Sequence, residues 1–204
     1  MRVPNGYLKD SGQVFGDRGN SFNYGWSCDF SSKGTRDRGN AGSVWSSIII
    51  PDRYETCGNS MWNINVPNAH YDVEIGYSDL EYSMKTGGCS VEGQLAGLGD
   101  LSAGQKKTKT LVVQVSDGKL TLTGDWPKCG SVSFVHISYS SHTAATCGNY
   151  GARNHICQRN KDNPIDPAVW DAPSEAQCKA NCMSQGKVLT LTLNLTPTRT
   201  VPSS

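Results

Sequence analysis

Apolar and polar residues alternate with a period of two along the first two thirds of the chain, as expected of strands with one buried face. Trp62, Ile64 and Val66 alternate with Asn63 and Asn65, and Pro67-Asn68 then turns the chain. Tyr71, Val73, Ile75 and Tyr77 resume on one face while Asp72 and Glu74 take the other. Val113-Gln114-Val115, the turn Ser116-Asp117-Gly118 and Leu120-Thr121-Leu122 read as a hairpin. Ser131–Ile137 reads as one more strand. No helical period of useful length interrupts this pattern, so residues 1–140 are predicted to form an all-β, antiparallel β-sandwich.

The texture changes after Tyr139. Residues 141–187 carry four cysteines, Asn163-Pro164, Asp166-Pro167 and one predicted short helix from Pro173 to Met183. Pro173 suits an early helical position and Gly186 suits the stop. This is the pattern of a small disulfide-stapled extension of loops and one helix. Residues 188–204 then open with the cleanest strand in the chain, Val188–Thr196. Leu189, Leu191, Leu193 and Leu195 share one face, and Thr190, Thr192, Asn194 and Thr196 share the other.

Composition narrows the function classes. The chain has 204 residues, of which 18% are charged, and its 19 Lys+Arg against 18 Asp+Glu leave a net charge of +1. So balanced a chain has no electrostatic reason to seek nucleic acid or an anionic membrane. The longest aliphatic run, Ile48–Ile50, stops at Pro51, far short of a membrane-spanning helix. The eight cysteines form two sets of four: Cys28, Cys57, Cys89 and Cys129, then Cys147, Cys157, Cys178 and Cys182. Their spacing matches no common zinc module, so they read as disulfides, with three pairings open in each set. Disulfides imply an oxidising, extracellular compartment. No leader pattern precedes Arg2-Val3-Pro4, so Met1 reads as a trimmed or recombinant start. Asn194-Leu195-Thr196 is the one N-glycosylation sequon, and a glycan on the threonine face would project away from the leucines.

Several segments together resemble a known family. They are Gly6-Tyr7-Leu8-Lys9-Asp10-Ser11-Gly12, Tyr24-Gly25-Trp26, Arg53-Tyr54-Glu55-Thr56, Trp62–Val73, Val91-Glu92-Gly93 and Asp117–Leu122. In this order they look like the galactose-binding-like β-jelly-roll domains attached to secreted pectin esterases and polysaccharide lyases, distantly related to malectin. The resemblance covers about residues 4–139 and implies a jelly roll, with loose implications for function. Such domains open with a strand that runs into a Pro-x-Gly-Tyr segment; here only Met1-Arg2-Val3 precedes Pro4-Asn5-Gly6-Tyr7. The leucine strand at the other end is the candidate to fill that place, in its own domain, in a neighbouring molecule, or in the next unit of a longer tandem array. An ordinary edge strand is the plain alternative.

No catalytic motif is legible. His70, His136, His142 and His155 sit in no nucleophile or metal-pair pattern, and there is no Gly-x-Ser-x-Gly or phosphate loop. The chain therefore reads as no enzyme and as needing no cofactor. Asp17-Arg18-Gly19-Asn20 and Asp37-Arg38-Gly39-Asn40 repeat one tetrapeptide. Turn chemistry with local Asp–Arg pairing is the plain reading, and a structural calcium at Asp17 or Asp37 the functional one. Tyr24, Trp26, Arg53, Trp62 and Trp126 are the candidate aromatic and polar contacts for a sugar. The leading expectation is a secreted structural protein whose partner is another copy of itself, joined head to tail into a filament or array through Leu189, Leu191, Leu193 and Leu195. The competing expectation is a monomeric carbohydrate-binding module whose partners are glycans.

Overall fold

The computed structural model describes residues 3, 6–39, 42–51, 60–124 and 128–140, and the backbone of 146–149, 155–158 and 191–195. Among these residues all regular structure is β-strand. One sheet has five strands in the order β1 (Tyr7–Asp10), β17 (Leu191–Leu195), β14 (Phe134–Tyr139), β7 (Ala69–Ser78) and β12 (Lys106–Val115). The other has six, in the order β10 (Gln94–Leu95), β9 (Ser90–Val91), β13 (Lys119–Thr123), β6 (Met61–Asn65), β3 (Asn23–Trp26) and β2 (Gly16–Asp17). Three short pairs complete the described structure: β8 (Met84–Lys85) with β11 (Asp100–Leu101), β4 (Thr35–Asp37) with β5 (Ser47–Ile49), and β15 (Thr146–Asn149) with β16 (His155–Gln158).

The period-two reading of the long strands holds. Tyr71, Val73, Ile75 and Tyr77 of β7 are fully buried, while Asp72 and Glu74 between them are only half-buried. Trp62 and Ile64 of β6, and Val66 just after it, face them from the second sheet as part of the same core. The buried Tyr77 hydroxyl donates to the Ala96 carbonyl at 3.0 Å, and burial pushes its pKa up. Apolar faces of two sheets packed on each other are the physical content of a β-sandwich.

The predicted hairpin at 113–122 is not one. β12 pairs with β7 in the first sheet, whereas β13 pairs with β6 and β9 in the second. Ser116–Gly118 is therefore a corner between sheets, and Gly118 turns it at φ 79°. Val113 and Val115 face Leu120 and Leu122 across the core rather than along a ladder. Alternation alone cannot separate these cases, because both present one apolar face. The β6–β7 corner lies beside this one, and Asn68 ties them together. Its Nδ2 donates to the Ser116 carbonyl at 2.9 Å, and its Oδ1 accepts from the Gly118 N–H at 2.7 Å.

Cys89 and Cys129, both fully buried, form a disulfide within the first set of four cysteines, and Cys28 is also disulfide-bonded. In the extension, β15 and β16 form an antiparallel pair with Cys147 across from Cys157. The predicted helix 173–183, and Cys57, Cys178 and Cys182, lie outside the described residues. The free edge at β12 opens with Lys106, Lys107 and Lys109, charges that discourage another strand from pairing there.

The Cys89–Cys129 bridge closes a 40-residue separation, worth about 4 kcal/mol of unfolded-state entropy in the chain-closure account. Replacing both cysteines with alanine is expected to lower the melting temperature by roughly 10 °C, read by calorimetry.

Candidate functional site: the seat of the terminal strand

β17 lies inside the five-stranded sheet, paired on both sides. It runs parallel to β1, with Tyr7 across from Thr192, Leu8 from Leu193, Lys9 from Asn194 and Asp10 from Leu195. It runs antiparallel to β14, with Phe134 across from Asn194, Val135 from Leu193, His136 from Thr192 and Ile137 from Leu191. Its ladder with β1 is the one parallel ladder among the described strands, a departure from the expected all-antiparallel sandwich. The plain reading as an edge strand is set aside by the strand order. Leu191 and Leu193 occupy the rows of Ile137 and Val135, whose side chains are in the core. Thr192 and Asn194 occupy the rows of His136 and Phe134 on the opposite face. Leu189 lies outside the described residues.

One end of the seat is closed. Just beyond the Phe134–Asn194 pair, Ile49 of β5 takes the same edge of β14. It exchanges two backbone hydrogen bonds of 2.9 Å with Val132. Beside it, β1 ends at Asp10, a carboxylate 1% exposed. Its Oδ1 accepts from the Gly12 N–H at 2.8 Å and its Oδ2 from the Trp62 Nε1–H at 2.7 Å. Burial nevertheless dominates and raises the Asp10 pKa, against these two donors, the Arg18 charge and the Trp26 indole. The Tyr24 hydroxyl donates to the Lys9 carbonyl at 2.7 Å. Tyr24 and Trp62 thus fasten β1 to the second sheet.

Aromatic rings of the neighbouring strands meet on the outer face of the first sheet. The ring of Tyr7 on β1 meets that of Phe134 on β14 edge-on at 6.2 Å, with β17 between the two strands. Trp45 packs edge-on against Phe134 at 5.0 Å. Phe134 in turn lies over Gly76 of β7, where any Cβ would collide with its ring. Burial, then the Glu74 carboxylate, hold the Tyr7 hydroxyl above the ordinary tyrosine value. His136 Nδ1 stands 3.7 Å from Glu74 Oε2 on the same face.

The remaining sequence candidates are placed as follows. Tyr24, Trp26 and Trp62 are 1%, 1% and 2% exposed, so their rings are covered by the protein and present no platform to a sugar. Arg53 and Trp126 lie outside the described residues. Asp17 and Asp37 each accept from the glycine N–H two residues on, at 2.8 and 2.9 Å, so the repeated tetrapeptide builds the same turn twice. The expected local Asp–Arg pairing is replaced. Arg18 donates to the Val14 carbonyl at 2.6 Å, and Arg38 forks onto Asp79 at 2.8 and 2.9 Å and reaches Glu81 at 2.7 Å. No group of three metal-ligating side chains occurs among the described residues.

Sequence reasoning missed Asp10, Tyr7, Trp45, Phe134 and Gly76. Asp10-Ser11-Gly12 carries the same Asp-x-Gly turn signal as the two tetrapeptides, but nothing local says that its carboxylate is buried against Trp62.

No family model and no curated protein matches the chain. A crystal structure of protein YxiM from Bacillus subtilis is similar at a TM-score of 0.45 and 17% identity, over 71% of this chain and 40% of that one. The fold itself is an all-β sandwich in which β17, late in the chain, lies inside one sheet.

Two outcomes are expected. A carboxyl with a raised folded-state pKa favours the fold while protonated, so wild-type stability relative to Asp10→Asn should fall as pH rises from the unfolded value near 3.8 through the folded one. Above that window the difference should be flat, as read by urea titrations between pH 3 and 7. Gly76→Ala drives a methyl into the Phe134 ring and should cost about 1–3 kcal/mol by the same measurement, with most of it recovered in a Gly76→Ala/Phe134→Ala double variant.

Proposed function

We propose that this chain is a secreted, non-catalytic building block that joins to its neighbours by exchanging the C-terminal strand, giving an extracellular filament or array. The supporting observation is the interior place of β17 between β1 and β14. An empty seat would leave two strand edges unpaired and the Val135 and Ile137 rows open, an aggregation hazard unless some strand fills it. A second copy carries that same strand. Donation from copy to copy is a heterologous contact that does not close on itself, so its product is linear.

Four strand leucines contribute on the order of 6–12 kcal/mol when buried. Association costs about 4–15 kcal/mol, so the two ladders must supply the remainder. Concentration then decides which copy provides the strand. A strand tethered to its own domain competes at an effective concentration of about 1 mM, so dilute chains close on themselves and crowded chains exchange. The chain from Gln158 to Leu191 is long enough for either, with a contour limit on the order of 100 Å. The buried disulfide supports an oxidising compartment, and no helix of the described residues is long and apolar enough to cross a membrane. Carbohydrate binding is the weaker reading, because Tyr24, Trp26 and Trp62 belong to the core.

Negative-stain microscopy across a dilution series, on the full chain and on a chain ending at Lys187, tests this. The full chain should form filaments or oligomer ladders when concentrated and revert slowly on dilution. The shortened chain should lose assembly and melt lower, and a peptide of residues 188–204 should restore its melting. A shortened chain that stays monomeric with unchanged melting would sink the proposal.

A further inference from the structure

Cys147 and Cys157 stand directly across from each other on the β15–β16 pair, and each is the one cysteine of its strand. Directly opposed residues of an antiparallel pair share a face, with Cα atoms about 4.5 or 5.5 Å apart according to the hydrogen-bond pattern. Either spacing lies within the range of about 4.4–6.8 Å that a disulfide spans. The sandwich sorts its own cysteines independently. Cys89 and Cys129 bond to each other, and Cys28 is disulfide-bonded as well. The β3–β6 ladder pairs Trp26 with Trp62 and continues one step further, where the Ser27 N–H donates to the Met61 carbonyl at 2.7 Å. Cys28 follows at once, and Cys57 precedes Met61 by four residues, a reach of at most about 14 Å of chain.

We infer that Cys147 bonds to Cys157 and Cys28 to Cys57, which leaves Cys178 and Cys182 to each other, so that no disulfide joins the extension to the sandwich. Each bond forms as two thiols give up two protons and two electrons to a disulfide-bearing oxidant of the secretory route, whose own disulfide is reduced to a dithiol. Between Gln158 and Leu191 the chain is then tied to the sandwich by no covalent bond beyond the backbone itself. β17 can leave one seat and enter another without breaking or reshuffling a disulfide. A bond from Cys178 or Cys182 to Cys28 or Cys57 would instead hold the strand to its own domain. The pairing rests on register and reach alone; only its consequence for the strand rests on the exchange proposed above.

The full chain, secreted from a eukaryotic host, provides the test. It is denatured, alkylated without reductant, digested with trypsin and chymotrypsin, and its linked peptides are identified by mass spectrometry. Cleavage after Tyr139 and Arg153 puts Cys129, Cys147 and Cys157 on separate peptides, and cleavage after Lys179 parts Cys178 from Cys182. Linked pairs Cys28–Cys57, Cys147–Cys157 and Cys178–Cys182 are expected beside Cys89–Cys129, with no cysteine alkylated. Cys147→Ser should release one thiol, at Cys157. An alkylated cysteine in the wild type, a free thiol elsewhere in Cys147→Ser, or a linked pair joining residues 1–140 to 141–187 would overturn the inference. A chain with the expected map that forms no filaments would count against strand exchange and leave the pairing intact, so the two proposals fail separately.

Discussion

The two ladders of β17 decide whether the first sheet is one sheet or two. In the strand order, β1 reaches β14 only through β17. Take that strand away and β1 keeps what ties it to the second sheet: the Tyr24 hydroxyl on Lys9 and the Trp62 indole on Asp10. The β7, β12 and β14 part keeps its own antiparallel ladders. Without β17 the remaining strands would thus form two partial layers of the first sheet, with one row between β1 and β14 unfilled.

Distance along the chain makes this row the last to be filled. Tyr7 and Thr192 are neighbours on the ladder yet lie at opposite ends of the sequence. Closing so long a loop earns its reward only when the ladder forms, whereas the β7–β12 and β6–β13 pairings and the core between them close far shorter loops. The β17 ladders are therefore expected to form after the shorter-range pairings of both sheets.

Period two revealed β6, β7, β14 and the terminal strand, because each has one face in the core and that face is written in alternate residues. It misread 113–122, where Val113 and Leu122 belong to facing sheets. Side-chain role was less legible than backbone. Tyr24, Trp26 and Trp62 have the residue types of a sugar platform and also of a core, and only packing separates the two. Asp10 looks like any turn aspartate until Trp62, fifty-two residues away, donates to it. Gly76 breaks no pattern in β7; it is required because Phe134 from the next strand lies on it. Such demands arise between strands, where a linear reading has nothing to count.

Donated or self-supplied, the strand must enter in one register, and the seat enforces this at both levels. Ile49 on β14 blocks sliding past Val132. A slip of one residue would exchange every leucine position for a threonine or asparagine in the Val135 and Ile137 rows, stranding polar groups in the core. A slip of two would keep the pattern but drive the strand against β5 in one direction and surrender a rung of ladder in the other. The same contacts are available to a strand from any copy, so geometry does not prefer self over neighbour. Under the strand-exchange proposal, reach and concentration would make that choice.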